Sequence, residues 1–476
     1  MNISGSFIRL IAFSLFFLPG ILIVSNAAES PNASLAVGYA DIDITPPLGG
    51  SMPGYFTERL STGILDPLLA KVLVLTEGKT TLAIVALDLI GLEAPEVNLL
   101  REAVTQRTGI PKDHIFVHCT HTHTGAETPD RFTSDADKII PGFGVGKVNQ
   151  EWVAALPGKV AEAVEKAIKA KTPQTQVTLG TAQENTVAFI RRYVMKDGTI
   201  RTNPGRNNPD VVRPNGTIDP VVTVLSFESA KTLLINYGLH LDCIGGTQYS
   251  ADYPYHITQT VKESLGSDWN VLYLNGCNGN INHINVNDAD QKSGYEESRR
   301  IGRTLAQAAL AARKTAKPFL IDRLDARTEI VQCPIRKVPP DVQKQAEQDV
   351  EAKIDMSKRN FNELHASGAY ILSRTQDKTH PAEIIAFRIG SLGLVGLPAE
   401  VFVEIKREIQ KDSPLKPTLV INLTGGAMGY MPHPKGYEEG GYEAGYISAR
   451  YDPVTPTRWI QSSVNLLKEL VKTTKR

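Results

Sequence analysis

The chain is poor in cysteine, has no net charge and contains few aromatic side chains. Of its 476 residues, 4 are cysteine, 51 are Lys or Arg and 51 are Asp or Glu, and aromatic residues make up 7%. Four cysteines without a Cys-x-x-Cys pair exclude a disulfide-rich scaffold and a cysteine zinc site, although one disulfide could form after export. Balanced charge gives no electrostatic basis for binding nucleic acid or an anionic membrane.

Long hydrophobic runs are absent after the amino terminus, which excludes a later membrane span. The amino terminus has one cation, Arg9, followed by the mostly apolar run "LIAFSLFFLPGILIV" and small residues at Ser25 and Ala27. This pattern is typical of a secretory signal peptide, and the run is shorter than the about 20 residues of a transmembrane helix. We expect cleavage after Ala27, which removes residues 1–27 and leaves a secreted or periplasmic protein. An uncleaved amino-terminal anchor is the alternative.

Strand-like and helix-like stretches alternate along the rest of the chain. Runs such as "LLAKVLVLTEG" and "TTLAIVALDLIGL" predict buried strands, and "APEVNLLREAVTQRTG" has the apolar spacing of a helix. We predict a longer helix over residues 149–172 that is interrupted near Pro157, and an exposed helical excursion over residues 341–375. An apolar stripe over residues 459–470 predicts a closing helix. The alternation indicates an α/β fold, with mixed β-sheet layers flanked by helices in a single domain over residues 28–476.

Three of the ten histidines lie in the short segment "HCTHTHTG", where a predicted strand ends. Side chains alternate between the two faces of a strand, so His121 and His123 would share one face and His118 would face the other way as a structural residue. Neutral imidazole binds zinc readily, and the pair therefore predicts a metal ligand with a neighbouring side chain. Hydrogen-bonded polar residues at a strand end would give the same pattern.

Further stretches strengthen the metal hypothesis. His240 ends the apolar run "LLINYGLHL", and Glu400 follows another apolar run near a predicted helix start. The segment "GGAMGYMPHPKGYEEGGYEAG" predicts an ordered loop with Tyr430 and Tyr442. Each feature also has a simpler interpretation, as a core histidine, a carboxylate that favours a helix amino terminus, or packing tyrosines. Likewise, "NGCNGNINHINVNDAD" could hydrogen-bond a polar substrate or form a turn-rich loop.

The order of these motifs resembles that of the neutral ceramidases and their bacterial relatives. "THTHTG" is similar to the histidine motif of that family, "NYGLHLD" to the segment with its second histidine, "LPAEVF" to its Pro-x-Glu element and "GYMPHPKGYEEGGYEA" to its tyrosine loop. "GYADIDITPPLGGSMPGY" resembles the amino-terminal stretch of the family, and "FIRRYVMKDG" resembles its Asn-Arg segment, with Ile190 where Asn is usual. The resemblance implies a ceramidase-like catalytic domain.

The resemblance implies one catalytic Zn²⁺ per chain. The four ligands that it carries over to this sequence are His121, His240, Glu400 and Tyr430. It also implies that His123 acts as general acid or base, and that Arg191 and Tyr442 hold the substrate carbonyl and the developing oxyanion. Such a zinc site can lower the pKa of a water molecule to about 7, which gives a nucleophile at neutral pH.

Departures from the family pattern concern the substrate. Asn282 stands at the position of the ceramidase serine and Asn280 at that of the aspartate beside it. We therefore expect attack by water instead of serine, and a contact between Asn282 and the substrate. The chain ends at Arg476, where ceramidases continue into an immunoglobulin-like domain, so ceramide itself is not the expected substrate.

Three functional hypotheses stay open. The first is a secreted zinc hydrolase of an amide bond, and the second is a zinc hydrolase of an ester, lactone or glycosidic bond in an extracellular carbohydrate. The third is a non-catalytic exported protein with a structural metal, which His123 and Arg191 argue against because a structural site needs neither. The partner would be a small-molecule, lipid-amide or carbohydrate substrate, with no nucleic acid. The sequence leaves the oligomeric state open.

Overall fold

The computed structural model describes most of the chain after the predicted signal peptide. The described residues are Met1, 34–55, 59–128, 148–351, 361–375 and 377–472. Apart from Met1, the predicted signal peptide and its cleavage site lie outside them. Within the described part of the chain, no helix is long and apolar enough to cross a membrane.

The α-helices are distributed along the whole described chain. Their bounds are α1 Ala94–Thr108, α2 Gln150–Lys169, α3 Tyr253–Leu265, α4 Tyr295–Lys314, α5 Pro340–Glu351, α6 Phe361–Ser373, α7 Val403–Asp412, α8 Pro434–Glu439 and α9 Thr455–Val471. Short 3₁₀ turns cover Lys112–His114 and Tyr442–Ala444.

The strands alternate with these helices. Their bounds are β1 Leu35–Asp43, β2 Gly63–Ile64, β3 Leu69–Glu77, β4 Thr80–Leu87, β5 Ile115–Cys119, β6 Thr172–Pro173, β7 Val177–Gln183, β8 Phe189–Ile190, β9 Arg192–Met195, β10 Ile200–Thr202, β11 Val211–Pro214, β12 Val221–Phe227, β13 Thr232–Tyr237, β14 Gln248–Tyr249, β15 Asn270–Asn275, β16 Ile281–Asn282, β17 Lys317–Pro318, β18 Leu324–Pro334, β19 Thr379–Ile389, β20 Leu392–Gly396, β21 Glu400–Val401, β22 Thr418–Ile421 and β23 Tyr430–Met431.

Three mixed sheets organise the fold. Their strand orders are β5-β4-β3-β1-β6, β15-β13-β12-β7-β17 and β18-β19-β20-β22. Each sheet contains one parallel pair, namely β4 with β5, β13 with β15, and β20 with β22, and its other pairs are antiparallel. The predicted α/β class, with mixed sheet layers flanked by helices, is confirmed.

The three sheets face a common apolar interior. Phe116 in the first sheet, Leu225 in the second and Phe387 in the third belong to one buried cluster, and the rings of Phe116 and Phe387 are 5.5 Å apart. The outer face of the first sheet packs against α1 and α2, that of the second against α3 and α4, and that of the third against α6, α7 and α9. This arrangement buries both faces of every large sheet, which explains their nearly continuous apolar strands.

Helix α2 runs through Pro157 without the predicted interruption. It begins where the side chain of Asn149 accepts a hydrogen bond from the backbone N–H of Trp152 (2.9 Å). A proline inside a helix removes one backbone hydrogen bond. The buried face that includes Leu156, Val160 and Val164 packs on the first sheet and holds the helix together.

The prediction of an exposed excursion over residues 341–375 is wrong for the described part of α6. Ala366, Ala369 and Leu372 are buried, and Gly368 lies directly against the backbone of Ile447. The small side chains around Gly368 allow this close approach, which a polarity pattern does not reveal. The closing helix is confirmed as α9, whose apolar stripe is buried against the third sheet.

The carboxyl ends of strands from all three sheets meet at one place. The backbone N–H of Cys119, at the end of β5, donates to Leu423 O after β22 (3.1 Å). The segment after β5 also forms an isolated bridge, between Thr122 and Leu241, with the segment after β13. Side chains that follow these strands are therefore brought together, as is common at the carboxyl ends of strands in α/β proteins.

Candidate metal centre

His121 and His123 lie beyond the strand that was expected to carry them. Strand β5 ends at Cys119, and His121 has a φ of 80°, in the left-handed region that non-glycine residues rarely adopt. The backbone N–H of His121 donates to Leu89 O and that of His123 to Leu241 O, each at 2.9 Å. Strand alternation is thus the wrong reason for their proximity, but the two Nε2 atoms are 3.4 Å apart.

His240 joins this pair from the second sheet, three residues after the end of β13. Its Nε2 lies 3.0 Å from Nε2 of His121. Nδ1 of His121 is 2.8 Å from Ile90 O, and Nδ1 of His240 is 3.4 Å from Asn278 O. A carbonyl accepts only a proton, so both Nδ1 atoms carry one, and the two Nε2 atoms are left facing each other.

Glu400 completes the cluster at the start of β21, four residues after β20 of the third sheet ends at Gly396. Its Oε2 lies 3.1 Å from Nε2 of His121 and 3.5 Å from Nε2 of His240. Burial opposes ionisation of this carboxyl, but His121, His240 and a hydrogen bond from Tyr430 outweigh it and lower the pKa of Glu400. Burial, together with the charges of Arg191 and His121, holds the pKa of His240 well below its usual value. The cluster therefore combines two imidazole rings with a carboxylate.

This donor set fits a divalent cation. His121, His123 and His240 offer ligand atoms within 4.8 Å of one another. Tetrahedral zinc with bonds of about 2.0–2.2 Å places its ligand atoms roughly 3.3–3.6 Å apart. The separations among His121, His240 and Glu400 are 3.0–3.5 Å, close to that range. Two facing nitrogen lone pairs also repel each other unless a proton or a cation lies between them.

Tyr430 is brought beside Glu400 because β21 and β23 pair in parallel with these two residues in register. The guanidinium of Arg191 lies 5.1 Å from the ring centre of Tyr430, and the rings of Tyr430 and Tyr442 are 5.6 Å apart. Burial raises the pKa of Tyr430 well above its usual value and that of Tyr442 to about 12. Both phenols are therefore protonated at neutral pH and can donate hydrogen bonds.

Glu443 is a residue of this region that the sequence did not reveal. Its fully buried carboxylate lies 2.8 Å from Nε of Arg191 and 3.0 Å from Nη1 of Arg192, and it accepts a hydrogen bond from Thr202 Oγ1 (2.7 Å). It thereby fixes Arg191, which also donates from Nη2 to Gly279 O (2.8 Å). Its position next to Tyr442 was the available signal, but nothing in the sequence linked it to the two arginines.

Asp242, two residues after His240, forms a second carboxylate–histidine pair with His283. Oδ1 of Asp242 is 3.0 Å from Nδ1 of His283. Burial opposes ionisation of Asp242, but the hydrogen bond and charge of His283, with the charges of His240 and His123, lower its pKa well below the usual value. The "HLD" segment contained Asp242, but only the fold brings His283 to it.

Asn282 does not join the other predicted site residues. Its side chain is fully buried, donates from Nδ2 to Asn203 Oδ1 (2.8 Å) and accepts from the backbone N–H of Ile284 (3.1 Å). Asn280 likewise donates to Glu404 Oε2 (2.9 Å) and accepts from the N–H of Val403 (3.1 Å). Neither lines the cavity beside the histidines. Contact of Asn282 with a substrate stays a prediction.

A cavity of about 230 Å³ opens onto the histidine cluster. It brings together five of the predicted site residues, which are His121, His123, Glu400, Tyr430 and Tyr442. Its apolar lining includes Ile371 and Leu372 from α6 and Ile447 from the tyrosine loop. The arrangement places proton-transfer and hydrogen-bonding groups beside a candidate cation site within a partly apolar cavity, which suits hydrolysis of a small carbonyl compound.

The four cysteines, Cys119, Cys243, Cys277 and Cys333, are buried and form no disulfide. Burial raises the pKa of each thiol. They therefore contribute neither a covalent link nor a thiolate to the site.

Comparison with known proteins defines the fold. No family model matches the sequence, and no curated protein matches it. Among solved structures, the chain is similar to the neutral ceramidase from Pseudomonas aeruginosa, with a TM-score of 0.71, 19% identity, and coverage of 93% of this chain and 76% of that chain. It is also similar to a ceramidase complexed with C2, with a TM-score of 0.70, 17% identity, and coverage of 93% and 77%. The protein thus has the neutral ceramidase fold, which confirms the fold that the sequence resemblance implied.

Proposed function

We propose that the protein is a zinc-dependent hydrolase that cleaves an amide bond by attack of water. The observation that carries the proposal is the buried cluster of His121, His240 and Glu400, in which two imidazole nitrogens and a carboxylate oxygen converge beside a cavity. The ceramidase fold supports the amide, because ceramide is itself a lipid amide. Fold alone does not define a substrate, so the bond type rests on both observations together.

One Zn²⁺ per chain would be held by His121, His240, Glu400 and Tyr430. When bound, zinc supplies a positive charge that lowers the pKa of water and polarises a carbonyl oxygen. The backbone carbonyls of Ile90 and Asn278 orient the two imidazoles toward the ion through their Nδ1 protons.

His123 is the proposed general acid or base. It lines the cavity, and its Nε2 is 3.4 Å from that of His121, which is within reach of a water at the cluster. It would take a proton from the attacking water and give one to the leaving nitrogen.

Tyr442 and Arg191 are proposed to stabilise the developing oxyanion. Tyr442 stays protonated, because burial raises its pKa to about 12, and it lines the cavity, so it can donate to a carbonyl oxygen. The buried Arg191 acts through its charge and through its contact with Tyr430, while Glu443 fixes its orientation. Loss of one such donor typically costs about 3 kcal/mol of transition-state stabilisation.

Export is part of the proposal. It depends on the signal-peptide pattern over residues 1–27, with cleavage after Ala27 and a secreted or periplasmic mature chain. The mature chain, residues 28–476, would act as a single domain.

Internal bonding of the asparagines weakens the carbohydrate alternative. Four of the six asparagines in the segment that could have bound a polar substrate are Asn275, Asn278, Asn280 and Asn282. Their side chains are buried and hydrogen-bonded within the protein, and none of the four lines the cavity.

Metal analysis beside a substrate panel tests the proposal. We expect about one zinc per chain in the wild type and none in His121→Ala, since the variant lacks a ligand. His433→Ala is the matched control, because His433 lies outside the cavity and pairs with Glu408. The wild type and the control should hydrolyse amides, and His121→Ala should not. A wild-type protein that takes up no zinc would overturn the proposal, and a zinc protein that cleaves only esters or glycosides would favour the second hypothesis.

A further inference from the structure

Arg450 lines the cavity and has no role in the chemistry proposed above. Arg450 is half-buried and lines the same cavity as His121 and Glu400, with its Nε beside Gly429, which also lines it. Among the described residues, no carboxylate lies within ion-pair distance of it and no acceptor within hydrogen-bond distance. Arg191, by contrast, has its charge matched by Glu443. A half-buried guanidinium whose charge no described carboxylate matches is suited to an anionic group of a ligand.

Arg450 is fixed close to the candidate metal ligands. The carbonyl of Ser448, two residues before it, accepts a hydrogen bond from the N–H of Tyr430 (2.9 Å). A Cβ atom placed on Gly429 would lie 3.9 Å from Nε of Arg450. The Arg450 carbonyl accepts from the N–H of Arg336 (2.8 Å), which anchors its backbone. The anion would therefore lie near the bond that is cleaved.

Helix α6 gives the cavity an apolar wall, which suits an apolar group of the ligand, in contrast to the anionic group that Arg450 suits. Ile371 and Leu372 line the cavity, and Gly368 holds the helix against the tyrosine loop, since a Cβ there would lie 2.4 Å from the N atom of Ile447. The cavity volume of about 230 Å³ is below the about 300–1,000 Å³ of pockets for drug-sized ligands. The part of a ligand that lies inside the cavity is therefore compact.

We infer that the substrate is a compact N-acyl amino acid, whose carboxylate binds Arg450 while its apolar side chain packs against Ile371 and Leu372. In this class of compound, the carbon next to the amide nitrogen carries both a carboxylate and a side chain. The carboxylate suits Arg450, and an apolar side chain suits the wall formed by α6. The inference rests on the proposed amide hydrolysis and names its substrate class.

The reaction consumes one water. The water oxygen bonds to the acyl carbon, the carbon–nitrogen bond breaks with its electron pair on nitrogen, and both water protons end on the amine. N-acetylleucine would give acetate and leucine.

The test compares N-acetylleucine with N-acetylleucinamide, which has the same acetyl–nitrogen bond but no carboxylate. Acetate release, followed by NMR, gives kcat and KM for both compounds. In the zinc-loaded wild type we expect kcat/KM to be about 10- to 100-fold higher for N-acetylleucine than for the amide, mainly because its KM is lower. This factor corresponds to the free energy of one hydrogen bond between charged groups. In Arg450→Gln this ratio should fall to about one, and Arg450→Lys should keep part of it. Lys468→Gln, at an exposed lysine of α9, should keep the wild-type ratio.

Binding measurements separate this inference from the proposed function. Titration calorimetry of both compounds with the wild type and Arg450→Gln gives dissociation constants even if neither compound is hydrolysed. Tighter binding of the acid that is lost in Arg450→Gln, without hydrolysis, would support the anion site and contradict amide cleavage. Equal binding and equal kcat/KM for the two compounds in the wild type would overturn the inference and leave amide hydrolysis standing. A preference for the acid that persists in Arg450→Gln would also overturn it.

Discussion

Two buried sets of polar side chains lie next to each other in this protein. We call the set around His118 closed, because both ring nitrogens of this histidine have a hydrogen-bond partner in the backbone. We call the set around His121 and His240 open, because only Nδ1 of each ring has a backbone partner. In the closed set, Nδ1 of His118 is 2.8 Å from Asn422 O, and its Nε2 accepts from the N–H of Asn275 (3.1 Å). In the open set, His121 and His240 have a carbonyl partner only at Nδ1, and their Nε2 atoms face each other and Glu400. The comparison teaches that His118 uses both ring nitrogens in hydrogen bonds to the backbone, whereas His121 and His240 keep Nε2 for the proposed metal.

The closed set supports the open one. His118 is in β5, Asn275 ends β15 and Asn422 follows β22, so their hydrogen bonds join strand ends of all three sheets. Asn422 also donates to the side chain of Asn278, whose carbonyl lies next to Nδ1 of His240. Burial lowers the pKa of His118 to about 3, so this histidine is neutral at ordinary pH and serves as a connector.

The largest effect within the open set is expected for His123→Ala. The variant should retain about one zinc per chain and lose about 10²–10⁴-fold in kcat, because a proton-transfer group is removed and the four ligands stay. Metal analysis and steady-state kinetics on the same preparation measure both quantities. Full activity on a good substrate would show that another group moves the proton.

A smaller effect, and of another kind, is expected for His118→Ala in the closed set. The change leaves the N–H of Asn275 without a partner in the core, and the carbonyl of Asn422 keeps only its hydrogen bond from Thr424 Oγ1 (3.0 Å). A cavity forms as well, so the free energy of unfolding should fall by about 2–5 kcal/mol. Zinc content per folded chain should be unchanged. Urea unfolding followed by circular dichroism, with metal analysis of the folded protein, checks this. Loss of zinc at unchanged stability would contradict the distinction between the two sets.

The smallest effect is expected for Asn282→Ser. The variant loses the hydrogen bond to Asn203, which should lower the free energy of unfolding by about 1 kcal/mol. It should gain no ceramide cleavage, because position 282 is buried away from the cavity. Asn287→Ser, at an exposed position of the same segment, is the control. Ceramide hydrolysis by Asn282→Ser alone would show that this position reaches the substrate.

Much of the fold and the ligand cluster could be predicted from the sequence, because buried strands leave a strong local signal. His121, His240 and Glu400 each follow an apolar run, and the carboxyl ends of such strands converge in α/β folds. The route of the chain after β5 could not be predicted, since the left-handed backbone of His121 depends on contacts with Leu89 and Leu241. The same holds for Glu443 and for the wall formed by α6, whose partners are distant in sequence.

Gly54 shows how a missing side chain can control this chemistry. Its φ is 101°, and a Cβ atom there would lie 2.6 Å from Nδ1 of His123. Any other residue at this position would displace the imidazole while leaving His121, His240, Glu400 and Tyr430 untouched. In Gly54→Ala, a single methyl group would therefore move the proposed proton-transfer imidazole aside and leave the four proposed metal ligands in the chain.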